Sequence, residues 1–163
     1  TVNKSIYGTP VLVTSFGQST DAAMLDTLMK KIGVEYVYNA TAKATDLQNY
    51  KTVVIAVGAS TKGLGAAGIS EAQETARATE IINFLKANSD VKVICCHIGG
   101  SARRGTLSDA YADMVMDLSS LIVLKEDANF DYKFTKYAEE HNVPISLVYA
   151  TKDTMTVFTE VFN

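Results

Sequence analysis

The chain has 163 residues, 47% of them apolar and 20% charged, which is typical of one globular domain and too short for two independent cores. Its formal net charge of −3 argues against a nucleic-acid-binding surface, which normally carries a basic excess. No apolar run approaches the roughly 18 residues that a membrane-spanning helix needs. We therefore expect neither nucleic acid as a partner nor membrane insertion.

Short apolar runs alternate with segments of helical periodicity along the chain. The first run, residues 10–15, is typical of a buried strand, and apolar residues then recur at helical spacing from Met24 to Ile32, where Gly33 ends the helix. Further strands are predicted at 34–38, 52–57, 91–98, 121–124 and 145–149, and further helices at about 70–88, 108–118, 132–140 and 154–162.

This alternation predicts a parallel sheet with helices on both faces. We expect a three-layer α/β/α sandwich, flavodoxin-like or Rossmann-like, whose mostly parallel sheet has the strand order 2-1-3-4-5-6. Residues 1–163 are predicted to form a single domain, with 1–9 as an N-terminal extension. The glycine-rich segment 58–68 is predicted to be irregular, and Ser70 with Gln73 to form a capping box that starts the next helix.

Sheets of this kind bind ligands outside the carboxyl ends of the strands, where the strand order reverses. The loops after strands 1, 3 and 4 meet there, and they carry glycines, hydroxyls and three cations but no acid before Asp21. Cations beside helix starts favour an anion, and Arg can bind two oxygens of a carboxylate or phosphate. The sequence therefore predicts a site for a small anionic metabolite. The predicted ligand-binding residues are Ser15, Gly17, Gln18, Ser19, Ser60, Lys62, Gly63, Gly65, Gly99, Gly100, Arg103 and Arg104.

A purely structural interpretation of the same loops stays open. The glycines would then only make tight turns, Lys62 would be solvated, and one arginine would pair with a carboxylate such as Asp109.

An enzyme is the first alternative function. His97 ends the fourth predicted strand, where an imidazole could act as the base of a hydrolase or transferase. This role requires His97 to lie within hydrogen-bond reach of Ser15, Ser60 or a bound water. The sequence does not decide whether the protein is an enzyme.

An interaction subunit is the second alternative. It predicts an exposed apolar patch around Leu64, Ala66, Ala67 and Ile69. Homo-oligomerisation is left open.

Other chemistries find little support. Cys95 and Cys96 are adjacent, so in a strand they point to opposite faces and are best explained as buried thiols. The pattern Gly-x-Gly-x-x-Gly occurs at 63–68 but follows strand 3, whereas a dinucleotide site would place it after strand 1. The residues around Lys62 lack the order of a P-loop. No metal and no cofactor is predicted.

The sequences of these loops also resemble those of a known protein family. Residues 10–19, 58–69, 97–100 and 103–105 together resemble an uncharacterised bacterial family of small, often exported α/β domains, described as a domain of unknown function. The resemblance covers residues from about 10 to 162 and implies no catalytic residue. It implies an exported or extracytoplasmic protein rather than a cytoplasmic one, with which a first residue other than Met is consistent.

Overall fold

The computed structural model describes residues 6–162. Six strands form one sheet in the order β2-β1-β3-β4-β5-β6, and all neighbouring strands are parallel, as the sequence predicts. The strands are β1 Val11–Phe16, β2 Tyr36–Tyr38, β3 Thr52–Val57, β4 Lys92–His97, β5 Leu121–Lys125 and β6 Ile145–Val148. The helices are α1 Asp21–Ile32, α2 Thr61–Ala67, α3 Glu71–Ala87, α4 Thr106–Met116, α5 Lys133–His141 and α6 Thr151–Phe162.

Two separate apolar clusters make the three layers. Successive strand residues point to opposite faces of a sheet, so Val53 and Ile55 pack with α3, α4 and α5, whereas Val54 and Ala56 pack with α1 and α6. The central strands β1 and β3 are buried along their whole length, because helices cover both faces. The α/β/α sandwich predicted from the sequence is therefore the observed fold.

The structure differs from the sequence prediction in the glycine-rich segment. The sequence predicts an irregular loop at 58–68, but helix α2 occupies most of it. The Ser60 hydroxyl accepts a hydrogen bond from the Gly63 N–H at 3.0 Å and so caps the helix start. Gly68 adopts a left-handed conformation, with φ of 69°, and ends the helix. The capping box of Ser70 and Gln73 at the start of α3 is confirmed.

The described part of the N-terminal segment, which begins at residue 6, packs against the domain. Of the predicted extension 1–9, residues 1–5 lie outside the described residues. The Tyr7 side chain is buried in the cluster that contains α1 and α6, and its hydroxyl lies 2.8 Å from that of Ser120. This part of the chain therefore belongs to the folded core.

Candidate functional site

The loops after β1 and β3 contact each other directly through their backbones. The Gly58 N–H donates to the Phe16 carbonyl at 3.0 Å, and the Ser60 N–H donates to the Gly17 carbonyl at 2.9 Å. Gln18 and Ala59 add an antiparallel bridge between the loops. The crevice that the strand order predicts between β1 and β3 is therefore closed by protein backbone.

Glycines make this contact possible. A Cβ atom on Gly17 would overlap the Gly58 carbonyl, and a Cβ atom on Gly63 would overlap the Gln18 carbonyl oxygen. Gly17 also has a φ of 108°, which side-chain-bearing residues rarely adopt. These glycines therefore serve close packing between the two loops, whereas a Cβ atom on Gly65, which faces open space, would meet nothing.

A buried carboxylate holds the loop after β1 in place. The Glu74 side chain, on α3, is fully buried, and its Oε2 accepts the Gly17 N–H at 2.8 Å and the Gln18 amide at 3.0 Å. Arg77 donates to both oxygens of Glu74, at 2.8 and 2.9 Å, and to the Ser15 carbonyl. Burial raises the pKa of Glu74, but the hydrogen bonds outweigh burial and lower it overall. Glu74 therefore stays ionised inside the protein.

Sequence reasoning missed this ion pair, although the sequence contains a signal for it. Glu74 shares the helical spacing of Ala78, Ile81, Ile82 and Leu85, which are the buried residues of α3. A charged residue on the buried face of a helix needs a charged or hydrogen-bonding partner, and Arg77 lies one turn further along the same helix.

Arg104 is fully engaged inside the protein. Its five N–H groups donate to Asp109, to Asp131 and to the Ala128 carbonyl, at distances of 2.7 to 3.1 Å. The guanidinium also lies over the rings of Phe130 and Phe134. The pairing with Asp109 that the structural interpretation proposed is therefore present, and Arg104 has no donor left for a ligand.

Arg103, the neighbouring residue, is held much more loosely. Its Nε lies 3.9 Å from Asp21 Oδ2, beyond hydrogen-bond distance, and its side chain is 30% exposed. Asp21 itself accepts the Ser19 hydroxyl at 3.0 Å. A Cβ atom on Gly58 would touch both Ser19 Oγ and Arg103 Cβ, which shows that the three loops do meet at this point. Gly99 lies under the same group, since a Cβ atom there would overlap Arg103 Cγ and Asp21 Oδ2.

The remaining predicted residues have structural surroundings or face solvent. Ser15 is buried and its hydroxyl accepts the Gln18 N–H at 3.1 Å. Gly100 has a φ of 75° and packs against the Asp127 carboxylate, where a Cβ atom would come within 2.6 Å of Oδ1. Lys62 is exposed on the first turn of α2 and makes no ion pair with the residues that the structure describes.

His97 is completely buried at the end of β4. Neither ring nitrogen has a hydrogen-bond partner among residues 6–162, and the ring packs edge-on against Phe134 at 5.2 Å between centroids. Burial lowers the pKa of this imidazole. The contact with Ser15 or Ser60 that a catalytic role requires is not made, so the geometry does not favour His97 as a base.

The apolar patch expected of an interaction subunit is incomplete. Leu64 is buried and Ile69 is half-buried, so only Ala66 and Ala67 of the predicted patch are exposed.

In the part of the chain that is described, no three His, Cys, Asp or Glu side chains come together as metal ligands would. No described helix combines the length and apolar character needed to cross a membrane.

Two glycines of α2 test the loop contact. Gly63→Ala forces a methyl group against the Gln18 carbonyl, and we expect it to lower the free energy of unfolding by about 1–3 kcal/mol. Gly65→Ala, two residues further along the same helix, meets no atom and should raise it by about 0.5–1 kcal/mol. Urea unfolding measures both, and equal effects of the two substitutions would contradict the packing described.

The buried ion pair predicts a large and non-additive effect. Arg77→Leu leaves the Glu74 charge buried without its partner, so we expect a loss of about 3–5 kcal/mol of stability. The double variant Glu74→Leu with Arg77→Leu removes both charges and should lose less than the two single variants together. Chemical denaturation of all four proteins completes the cycle, and strict additivity would argue against the pair.

His97 predicts a loss of stability in mild acid. The pKa of His97 is lowered in the folded state, so below the ordinary value of 6.5 the unfolded chain binds a proton that the folded chain does not. The free energy of unfolding therefore decreases as the pH is lowered. His97→Leu and His97→Gln should both flatten the pH dependence between about pH 5 and 7. Only His97→Leu should add stability at pH 7, by about 1 kcal/mol, because Gln again buries polar atoms. An unchanged pH slope in both variants would refute this account.

Comparison with solved structures gives distant matches. A GDP-L-fucose synthetase from Naegleria fowleri matches with 11% identity and a TM-score of 0.41, over 87% of this chain and 50% of that one. The same synthetase bound to NADP matches with 10% identity and a TM-score of 0.39, over the same shares. The chain thus spans half the length of these structures, and such distant matches carry no argument about its ligand or activity.

Comparison with sequences gives a family. No curated protein matches the chain. A family model described as a domain of unknown function (DUF6305) matches residues 8–162, which is nearly all of the described domain. The chain therefore belongs to the DUF6305 family.

Proposed function

We propose that the protein binds a small anion, a phosphate or a carboxylate, beside Arg103 at the carboxyl edge of the sheet. The observation that carries this proposal is the state of Arg103, which is 30% exposed and makes no hydrogen bond to the described residues. A guanidinium presents five donors in a planar fork, and two of them can bind two oxygens of one anion. Arg103 supplies this fork at the carboxyl edge, where parallel α/β sheets bind their ligands.

The charges around Arg103 favour an anion. Asp21, 3.9 Å from Arg103, offsets one positive charge, and Lys62 on α2 adds a second cation at the same edge, so one positive charge remains in excess. The first backbone N–H groups of α1 have no acceptor within the helix, and they begin next to Ser19 and Thr20. Ser19, Lys62 and Arg103 therefore stay in the proposal from the predicted set, and Arg104 leaves it because all its donors are used.

The closed loops limit the size of this ligand. The backbone contact between Gly17 and Ser60 fills the space between β1 and β3 in which a doubly wound fold would place a nucleotide pyrophosphate. The proposed ligand therefore lies on the outside of this contact. A free phosphate, a sulfate or a short carboxylate fits such a position better than a dinucleotide.

Thermal unfolding with added anions tests the proposal. At constant ionic strength, phosphate, sulfate, malonate and NADP are each titrated against the unmodified chain and against Arg103→Gln. We expect phosphate or malonate to raise the Tm by roughly 5 °C at saturating concentration, because a ligand that binds only the folded state stabilises it. Arg103→Gln should abolish this shift, and Lys62→Gln should reduce it.

Lys86→Gln is the matched control, because Lys86 is an exposed cation in the last turn of α3, outside the loops of the proposed site. It removes the same charge and should retain the full shift. The proposal fails if no anion raises the Tm, if Arg103→Gln keeps the shift, or if NADP stabilises the chain more than phosphate does.

A further inference from the structure

The carboxyl edge of the sheet has a second concave feature, on the opposite side of β4 from the closed loops. A cavity of about 250 Å³ lies where β5 and β6 end, between α1 and α6. Liquid water takes about 30 Å³ per molecule, so the cavity would hold about eight waters. It is lined by Met24, Ile98, Lys125, Val148, Tyr149, Ala150, Thr151 and Thr154.

Part of the cavity wall is formed by buried apolar side chains. Ile98 and Val148 are 6% and 2% exposed, and Val148 belongs to the buried cluster under α1 and α6. Thr154 on α6 is also buried, and it lines the cavity together with Thr151. The cavity therefore offers both apolar surface and hydroxyl groups to a small molecule.

Large apolar side chains are exposed around the opening. Tyr149 is 67% exposed and Met24 38% exposed, although both lie against the cavity. Exposure of two large side chains, one aromatic and one aliphatic, at one cavity favours a binding site, because such surface costs free energy unless a ligand covers it.

Lys125 is the cationic residue that lines the cavity. Lys125 ends β5 at the cavity and forms no ion pair with any described residue. The nearby carboxylate of Asp153 is already bound by the backbone N–H groups of Tyr149 and Ala150, at 3.1 and 2.9 Å. The lysine is therefore the group that selects the charge of a bound molecule, and it selects an anion.

We propose that this cavity binds a small monocarboxylate that carries an aromatic ring or a short alkyl chain. Its carboxylate would pair with the Lys125 ammonium, and its apolar part would lie against Ile98 and Val148 under the Tyr149 ring. This site is separate from the one proposed beside Arg103, and either can exist without the other.

A single tryptophan reports on the cavity. The chain has no Trp, so Tyr149→Trp places the only indole at the opening. Benzoate and hexanoate are titrated into this variant, and we expect a saturable change in emission with a Kd below roughly 1 mM. Lys125→Gln in the same background should weaken binding at least tenfold, and the neutral benzyl alcohol should bind at least tenfold more weakly than benzoate.

Two further variants separate this site from other causes. Lys86→Gln should leave benzoate binding unchanged, because Lys86 is an exposed cation on α3, away from the cavity. Ala150→Phe fills the opening from an exposed position and should abolish binding while the far-ultraviolet circular dichroism stays that of the folded chain.

A second measurement avoids the tryptophan substitution. In the unmodified chain, benzoate should shift the amide resonances of Ile98, Val148 and Thr154 with the same Kd. The proposal is overturned if neither experiment saturates, if Lys125→Gln binds benzoate as tightly as the unmodified sequence, or if benzyl alcohol competes equally.

Discussion

A carboxylate buried on one flanking helix fixes the central loop of the sheet. Glu74 reaches from α3 to the backbone of Gly17 and the amide of Gln18, and Arg77 balances its charge while binding the Ser15 carbonyl. An ion pair with this little contact with water is stable only because nearly all its donors and acceptors are satisfied. The loop after β1 is therefore held in place by α3, and its backbone in turn pairs with the loop after β3.

The same loops explain why an expected ligand crevice is absent between β1 and β3. Glycine, Ser and Arg are the residues with which proteins bind anions, but they also let two backbones approach and satisfy each other. In this protein Gly17 and Gly63 let the backbones of the two loops approach each other. Arg104 donates all its N–H groups to Asp109, Asp131 and a backbone carbonyl. The two ligand sites that we propose therefore lie outside this contact, beside Arg103 and at the cavity beside Lys125.

The sequence predicted the architecture well because the signals that carry it are local. Continuous apolar runs at 52–57 and 91–98 require cover on both faces, and their alternation with helices favours a doubly wound sheet, whose observed order is 2-1-3-4-5-6. The helix at Thr61–Ala67 is not predicted, because Gly63 and Gly65 have low helix propensity.

The site was less predictable, because it depends on which charges meet across loops. Arg103 and Arg104 are adjacent in sequence and have the same side chain. Only Arg104 binds Asp131, which lies 27 residues further along the chain. Periodicity cannot reveal such a partner. Similarly, His97 lies at the carboxyl end of β4, as the sequence predicts, but its ring packs inside the protein against Phe134.

The two cysteines are buried free thiols in the central strand β4. Cys95 and Cys96 belong to opposite clusters on either side of the sheet, both are fully buried, and burial raises the pKa of the Cys95 thiol to about 12. Burial shields both thiols and disfavours the reactive thiolate while β4 stays in the sheet. The rate at which a thiol reagent modifies the folded domain therefore measures how often the central strand opens.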